Sequence, residues 1–238
     1  MNEIETISNW IKDYATNANK TTLVVGVSGG IDSAVVSTLC AKTGLKTIPM
    51  VMSIGNKDIL GLEHAWWLDE NFPNISRRIV NMEKVFHEFE KASMYINADN
   101  KLAFANTKAR LRMTMLYQMA QSENGLVVGT GNKVEDFGVG FYTKYGDGGV
   151  DISPIADLYK SEVRQMGIEL GVLEKIIEAK PTDGLWEDGR TDEDQLGMSY
   201  EEIEDAMENE DSPHREDYMN IRKANIHKME PIPVWRRK

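Results

Sequence analysis

The stretch Leu23-Val24-Val25-Gly26-Val27-Ser28-Gly29-Gly30-Ile31-Asp32-Ser33-Ala34-Val35-Val36 decides how the chain is read. A short apolar run leads into three glycines and a serine, and helix-period apolar residues follow. Ile31, Ala34, Val35, Thr38 and Leu39 fall at i, i+3, i+4, i+7 and i+8, one face of a helix. The pattern predicts a buried strand, a tight turn and a helix start. Gly29 and Gly30 tolerate positive φ and place no side chain between backbone and ligand. Successive N–H groups at such a turn, backed by the first helical turn, make an anion site. Ile31 stands where the common phosphate loop has its lysine, and the run is not G-x-G-x-x-G either. Two hydroxyls and a carboxylate, Ser28, Ser33 and Asp32, come to the turn instead. Hydroxyls and amides hold pyrophosphate, and a carboxylate beside phosphates suggests a divalent cation.

Outward from this stretch, strands alternate with helices. A helix precedes it at Glu3 to Tyr14, with Ile4, Ile7, Trp10 and Ile11 at helix spacing. Thr43-Gly44 closes the loop helix, and Lys46 to Met52 reads as a second strand. Asp58 to Glu70 reads as a helix with Ile59, Leu62, Trp66 and Leu68 turned inward. A third strand is expected at Ile75 to Val80 and a helix at Asn81 to Glu90. The longest helical pattern runs from Asn97 to Ser122, through Leu102, Ala105, Ala109, Met113, Leu116 and Ala120. A fourth strand at Gly125 to Val128 ends in a second glycine-rich turn, Gly129-Thr130-Gly131-Asn132. The alternation implies a doubly wound parallel α/β sheet flanked by helices, with both turns facing one crevice at the strand ends.

Farther on, Lys133 to Phe137 reads as a short helix, followed by a loop, Phe141 to Asp151, too rich in functional side chains to be a simple connector. Asp157 is the expected cap of a helix from Leu158 to Leu170, stopped by Gly171. Leu173 to Ala179 is expected as a helix, Asp183 to Gln195 as an acidic lid or disordered loop extending toward residue 198, Tyr200 to Met207 as an amphipathic helix, and His214 to His227 or Lys228 as the last helix.

Composition narrows the class. At 238 residues the chain reads as one domain, 1–238, with ample length for a core. No 18-residue apolar run and no signal-type N-terminus stand in the sequence, and the one cysteine, Cys40, has no internal disulfide partner. Both features fit a cytoplasmic protein without membrane contact. The net charge of −11 is concentrated: Leu185 to Asp211 carries twelve acids against one base, Arg190, and the remainder is balanced. A basic nucleic-acid footprint is missing, so nucleic acid is not expected as a partner.

The Ser28-Gly29-Gly30-Ile31-Asp32-Ser33 run is the signature of the ATP pyrophosphatase superfamily. Together with Lys108-Ala109-Arg110-Leu111-Arg112-Met113, Gly129-Thr130 with Glu135, Phe141-Tyr142-Thr143-Lys144-Tyr145-Gly146-Asp147-Gly148-Gly149-Val150-Asp151, Lys160, Pro181-Thr182 and His227-Lys228, it makes the chain resemble the ammonia-dependent NAD synthetases. The resemblance implies a Rossmann-like adenine-nucleotide α-hydrolase fold. It further implies that the carboxylate of deamido-NAD attacks the α-phosphate of ATP and that ammonia then displaces AMP.

By the same resemblance Gly26, Val27, Ser28, Gly29, Gly30, Ile31, Asp32, Ser33, Thr130, Lys160 and Thr182 contact ATP. Asp32 and Glu135 hold Mg²⁺, and Arg110, Lys144, Asp151, His227 and Lys228 bind deamido-NAD. Asp32, Lys160 and Asp151 are the expected catalytic residues, with Asp151 a proton acceptor for the ammonium. Members of the family form homodimers, and the long helix Asn97 to Ser122 fits a subunit interface. Only about twenty residues precede the first strand, so free ammonia rather than an amidase domain is expected as the nitrogen source. Two departures stand out. Met52-Ser53-Ile54-Gly55 lacks an arginine that some relatives place near the adenine, and Gly131-Asn132-Lys133 replaces an Asp-His pair. Another pyrophosphatase, amidating or tRNA-thiolating, and a non-catalytic ATP sensor remain the alternatives.

Overall fold

The computed structural model describes residues 2–55, 58–182 and 191–237. Four strands, β1 (Thr22–Gly26), β2 (Lys46–Ser53), β3 (Arg78–Asn81) and β4 (Gly125–Val128), form one parallel sheet in the order β3-β2-β1-β4. A single bridge from Val128 to Ile152 extends the sheet past β4. The order reverses at β1, so the turns after β1 and β4 flank the crevice where open α/β sheets bind ligands.

Alternation along β1 explains the two faces. Leu23 and Val25 point into a core with α1 (Glu3–Asn17), α2 (Ile31–Lys42), α6 (Lys160–Leu170) and α7 (Glu174–Ile177); Ile11, Val35, Leu39, Ile155 and Val163 close it. Val24 points the other way, toward Ile48, Met50, Phe86, Met113 and Leu116, beneath α4 (Glu83–Met94) and α5 (Lys101–Ser122). A third cluster, Val134, Val139, Leu196, Tyr200, Ile203 and Tyr218, joins a π-helix (Lys133–Val139) to α8 (Asp192–Leu196), α9 (Tyr200–Glu208) and α10 (Arg215–Met229). The doubly wound sheet is as the sequence pattern predicts.

Several local expectations are corrected. α3 (Ile59–Asn71) buries Gly61, His64, Ala65 and Leu68, whereas Ile59 is 61 % and Trp66 51 % exposed. The contact stripe is set by Gly61, where a Cβ would lie 3.0 Å from the Val27 carbonyl; Trp66 is covered by the Arg77 guanidinium at 4.4 Å instead. Trp10 is likewise largely exposed, with Tyr14 beside it. The β3 ladder is shorter than predicted at its start, Ile75 making only a bridge to Thr47. α4 begins at Glu83 and runs on to Met94. α5 begins at Lys101, because Asn97 is left-handed and the Asn100 side chain accepts from Ala103 N; Leu102 is exposed.

Asp157 does not cap α6. That helix starts at Lys160, where Glu162 Oε2 reaches back to Tyr159 N at 2.7 Å. α7 spans only Glu174–Ile177. Of the proposed acidic loop, residues 183–190 lie outside the described residues. Asp192–Leu196 is a helix, capped by Thr191, rather than a loop. Among the described residues no helix is long and apolar enough to cross a membrane.

Candidate active site

The serine loop folds on itself before it meets any ligand. Ser28 N donates to Ser33 Oγ at 3.2 Å, Ser33 Oγ donates to Gly30 O at 2.9 Å, and Gly30 N donates to Ser28 Oγ at 3.3 Å. Gly29 takes φ +85° against the start of α3, where a Cβ would stand 2.7 Å from Gly61 N. Only glycine fits there on both counts. The loop is thus a preset ring of donors at the N-terminus of α2, suited to a polyphosphate.

Behind it, α2 is tied to α3 by a buried contact. Ser37 Oγ bonds Ser33 O at 2.7 Å and lies 3.0 Å from His64 Nε2. Burial pushes the His64 imidazole down to about 4, so it is neutral at pH 7.

α6 packs on α2 where Gly167 faces Ile31, since a Cβ at 167 would meet Ile31 Cδ1 at 2.6 Å. That close approach carries Lys160, the first residue of α6, to the loop. Its Nζ lies 2.6 Å from Asp32 Oδ2 and 2.9 Å from Glu135 Oε1, and its side chain is 6 % exposed. Asn132 Nδ2 donates to Asp32 Oδ1 at 3.1 Å, while Asn132 Oδ1 caps the π-helix at Glu135 N, 3.0 Å away. Tyr200 completes the group, its hydroxyl 2.6 Å from Glu135 Oε1 and 3.3 Å from Asp192 Oδ2.

Charge follows from this geometry. Burial opposes ionisation of Glu135, but Lys160 and the Tyr200 hydroxyl outweigh it and hold the carboxyl below its usual range. Burial also disfavours the Lys160 ammonium, yet the two carboxylates raise its pKa. Asp32 is raised by burial, against Lys160, with Glu135 adding to the rise. Next to it, burial and the carboxylates of Glu135, Asp147 and Asp32 push Asp136 up to about 8.

The π-helix that carries Glu135 is held from outside by α10. Arg222 donates to Phe137 O and, at 2.7 Å, to Gly138 O, and Asn225 Nδ2 donates to Val139 O at 3.0 Å. π-Turns are uncommon and concentrate at functional sites.

The residues that the resemblance assigns to deamido-NAD gather around the Phe141–Asp151 loop. Arg110 Nε donates to Lys144 O at 3.2 Å, Lys144 Nζ to His227 O at 3.1 Å, and Lys228 Nζ to Tyr142 O at 3.0 Å. Burial lowers Lys228, against the pull of Asp147. Beside them a cleft of about 540 Å³ opens between α5 and the loop, lined by Met113, Tyr117, Gln118, Tyr145 and Gly149.

Gly26 to Ser33, Asp32, Glu135 and Lys160 are therefore brought together, and Arg110, Lys144, His227 and Lys228 form a second group. Thr130 lies at the end of β4, and Thr182 is exposed at the edge of the described residues, where Asp192 N returns to Pro181 O at 3.1 Å. Asp151 is exposed and already holds two donors, Oδ2 accepting from Val127 N at 2.8 Å and Oδ1 from the Tyr117 hydroxyl at 3.1 Å. Arg112 of α5 reaches the end of β2, its Nε donating to Met52 O at 3.0 Å.

Sequence reasoning assigned no role to Asn132, Tyr200 or His64. Asn132, three residues before Glu135, carried an N-cap signal; the other two are set only by tertiary contact.

A family model described as NAD synthase matches residues 3–238. The chain belongs to the NAD synthase family. An NH3-dependent NAD+ synthetase of Alkaliphilus metalliredigens is 37 % identical, over 97 % of this chain and 97 % of the relative. Among solved structures, the NMN synthetase of Francisella tularensis superposes with a TM-score of 0.90 at 33 % identity, covering 98 % of this chain and 96 % of that one. The NH3-dependent NAD synthetase of Campylobacter jejuni superposes with a TM-score of 0.77 at 28 % identity, covering 98 % of both chains. Membership in this family makes the chain an amidating enzyme that uses ATP.

Proposed function

We propose that this NAD synthase family member is a carbon–nitrogen ligase that amidates deamido-NAD with ammonia, giving NAD, AMP and pyrophosphate. The observation that carries the reading is the Asp32–Lys160–Glu135 cluster set against the serine loop, with the Arg110, Lys144 and Lys228 group across the crevice. One side suits a triphosphate and the other an anionic acceptor.

In the first step the acceptor carboxylate oxygen forms a bond to the α-phosphorus while the bond to the bridging oxygen of pyrophosphate breaks. The amides and hydroxyls of Ser28 to Ser33 hold the departing anion, and Lys160 steadies charge at the phosphates. In the second step the ammonia nitrogen bonds to the acyl carbon, AMP departs with the oxygen, and the nitrogen sheds a proton. Holding the two polyanions in register converts an encounter of like charges into a local reaction.

Asp32 and Glu135 fit Mg²⁺ in chemistry, as hard oxygen donors around a place that already holds a cation. Among the described residues no cluster of three His, Cys, Asp or Glu forms a metal cage, so the nucleotide's phosphates would complete the ligand set. Bound there, Mg²⁺ would neutralise phosphate charge. We further infer a cytosolic homodimer joined through the exposed apolar residues of α4, α5 and the turn between them, where Phe89, Tyr95, Ile96 and Leu102 are uncovered.

A second acceptor is favoured by one finding. The Francisella NMN synthetase matches this fold more closely than the Campylobacter NAD synthetase does. The acceptor would then be nicotinic acid mononucleotide, the carboxylate counterpart of NMN. Purified protein with ATP, Mg²⁺ and ammonium, offered each acceptor in turn, decides by the ratio of kcat/KM values, with AMP and pyrophosphate measured in parallel. ATP binding without product from either acceptor refutes the ligase reading in favour of a sensor.

A further inference from the structure

We propose that Tyr200 is a positioning residue of the ATP site, fixing the Glu135 carboxylate through its hydroxyl and the Lys160 ammonium through its ring. Two donors converge on one carboxylate oxygen: Glu135 Oε1 receives the Tyr200 hydroxyl at 2.6 Å and Lys160 Nζ at 2.9 Å. The same ammonium lies 4.7 Å from the centre of the Tyr200 ring. One side chain thus touches both members of the pair, each from a different part of itself. A cation over an aromatic face is attracted by the ring quadrupole, which adds direction to the ion pair.

The mount is rigid. Tyr200 is 4 % exposed and packs with Val134, Val139, Leu196 and Ile203. It is the first residue of α9, whose start is capped by Ser199, and Glu193 Oε1 accepts its backbone N–H at 3.1 Å. Packing alone asks only for the ring, since phenylalanine has the same shape in an apolar cluster. The hydroxyl is explained by its acceptors, Glu135 and Asp192. Glu135 sits on a π-helix, already bonded by Lys160, and its carboxylate oxygen takes a second donor. Tyr200 supplies it from a different unit of the chain. Through Tyr200, α9 thereby bears on the Asp32–Lys160–Glu135 cluster.

The proposal rests on the reading of Asp32 and Glu135 as the residues that meet Mg²⁺ with ATP. Its test is Tyr200→Phe in the full chain, followed by calorimetric ATP binding across a Mg²⁺ series with no acceptor present, and by steady-state kinetics. Losing one hydrogen bond to a charged group is expected to raise the Mg²⁺ requirement for ATP binding about tenfold and to lower kcat by a similar factor. The acceptor KM stays at the wild-type value, and the melting temperature falls only by the few degrees that a lost buried hydrogen bond costs. An unchanged Mg²⁺ requirement overturns the proposal. A raised Mg²⁺ requirement accompanied by an equal rise in the acceptor KM also overturns it, since the variant would then have lost packing across the site rather than the order of the Glu135 carboxylate. Wild-type protein that binds ATP with Mg²⁺ but amidates neither acceptor counts against the proposed reaction, and the comparison of Mg²⁺ requirements still decides the role of Tyr200.

Discussion

Lys160 and Lys144 are both lysines assigned to anions, yet the protein builds them in opposite ways. Lys160 is almost wholly enclosed and shared between two carboxylates that lie far from it in sequence. Lys144 sits on a loop at the mouth of the cleft, its ammonium on a backbone carbonyl and 5.7 Å from the Tyr145 ring. The first is part of a cross-linked charge network in which each member holds the others. The second is tethered by neutral acceptors that an incoming phosphate can replace. Under the proposed function the nucleotide side is therefore preset, and the acceptor side is a surface of exchangeable bonds. On that reading a polyphosphate common to every turnover meets the rigid half, and the acceptor meets the adaptable one.

The sharpest way to break this contrast is Lys160→Met. Removing the ammonium leaves Asp32 and Glu135 facing each other in a buried site, which costs about 3 kcal/mol when one partner of an enclosed ion pair is lost. Turnover is expected to fall on the order of a thousandfold, because phosphate charge loses its fixed counter-ion. Acidification is expected to restore part of the stability, as one carboxyl takes a proton in place of the lysine. Denaturant melts at pH 7.5 and pH 5, alongside the assay, check both. If Lys160→Met is as stable as the wild type at pH 7.5, the preset character of this half is wrong.

His64 tests how deep the rigidity goes, since it meets α2 just behind the serine loop, at Ser37. Its folded pKa lies near 4 and its unfolded value near 6.5, so below pH 6.5 the unfolded chain binds a proton that the folded chain refuses. The stability it permits is complete above about pH 6.5 and is lost as pH falls toward 4, a change of about 3 kcal/mol for this one group. His64→Gln has no such proton to bind. The expected result is a steeper loss of urea midpoint between pH 7 and pH 4.5 in the wild type than in the variant. Parallel curves would show that His64 is not held neutral in the fold.

How much of this contrast the chain announced in advance depends on range. The serine loop, Asp32 and the doubly wound parallel sheet follow from local pattern, because strand, turn and helix are written in adjacent residues, whereas Glu135 comes only through the family resemblance. The clamp of Lys160 spans 128 residues to Asp32 and depends on the bare face of Gly167 against Ile31, which no periodicity records. Tyr200 and Glu135 are 65 residues apart. On α3, apolar character pointed to Ile59 and Trp66, whereas burial was decided by a glycine and by a histidine with a hydroxyl partner. The π-turn was read as an ordinary short helix because a one-residue shift of hydrogen bonding leaves the apolar spacing nearly unchanged over seven residues. Hydrophobic pattern locates elements; it does not report which polar groups those elements bring together.

On the adaptable side, Lys144→Ala is expected to raise the acceptor KM about tenfold while leaving kcat within a small factor, as loss of a uniform binding contact to an anion should. Melting temperature is not expected to move, because the bond given up is a surface one to a carbonyl. ATP affinity should be untouched. A kcat loss as large as the KM effect would place Lys144 with the preset cluster and erase the distinction between the halves.

The smallest effect belongs to Asp151, which sits where the two designs meet. It was expected to take a proton from ammonium, but both carboxylate oxygens already accept, from Val127 N on β4 and from Tyr117 on α5. A carboxylate so engaged is a strut between sheet edge and helix. Asp151→Asn keeps an oxygen for the Val127 amide, which is fully buried and would otherwise lose its acceptor, so the strut survives. The variant is expected to hold kcat within about threefold, since general-base catalysis contributes two orders of magnitude or more where it operates. Asp151→Ala removes the acceptor as well and should lower the melting temperature by about 3–6 °C, the equivalent of an unsatisfied buried amide. If Asn instead abolishes turnover at every ammonium concentration while the melting curve stays put, Asp151 handles a proton after all, and the acceptor side then carries chemistry as well as binding.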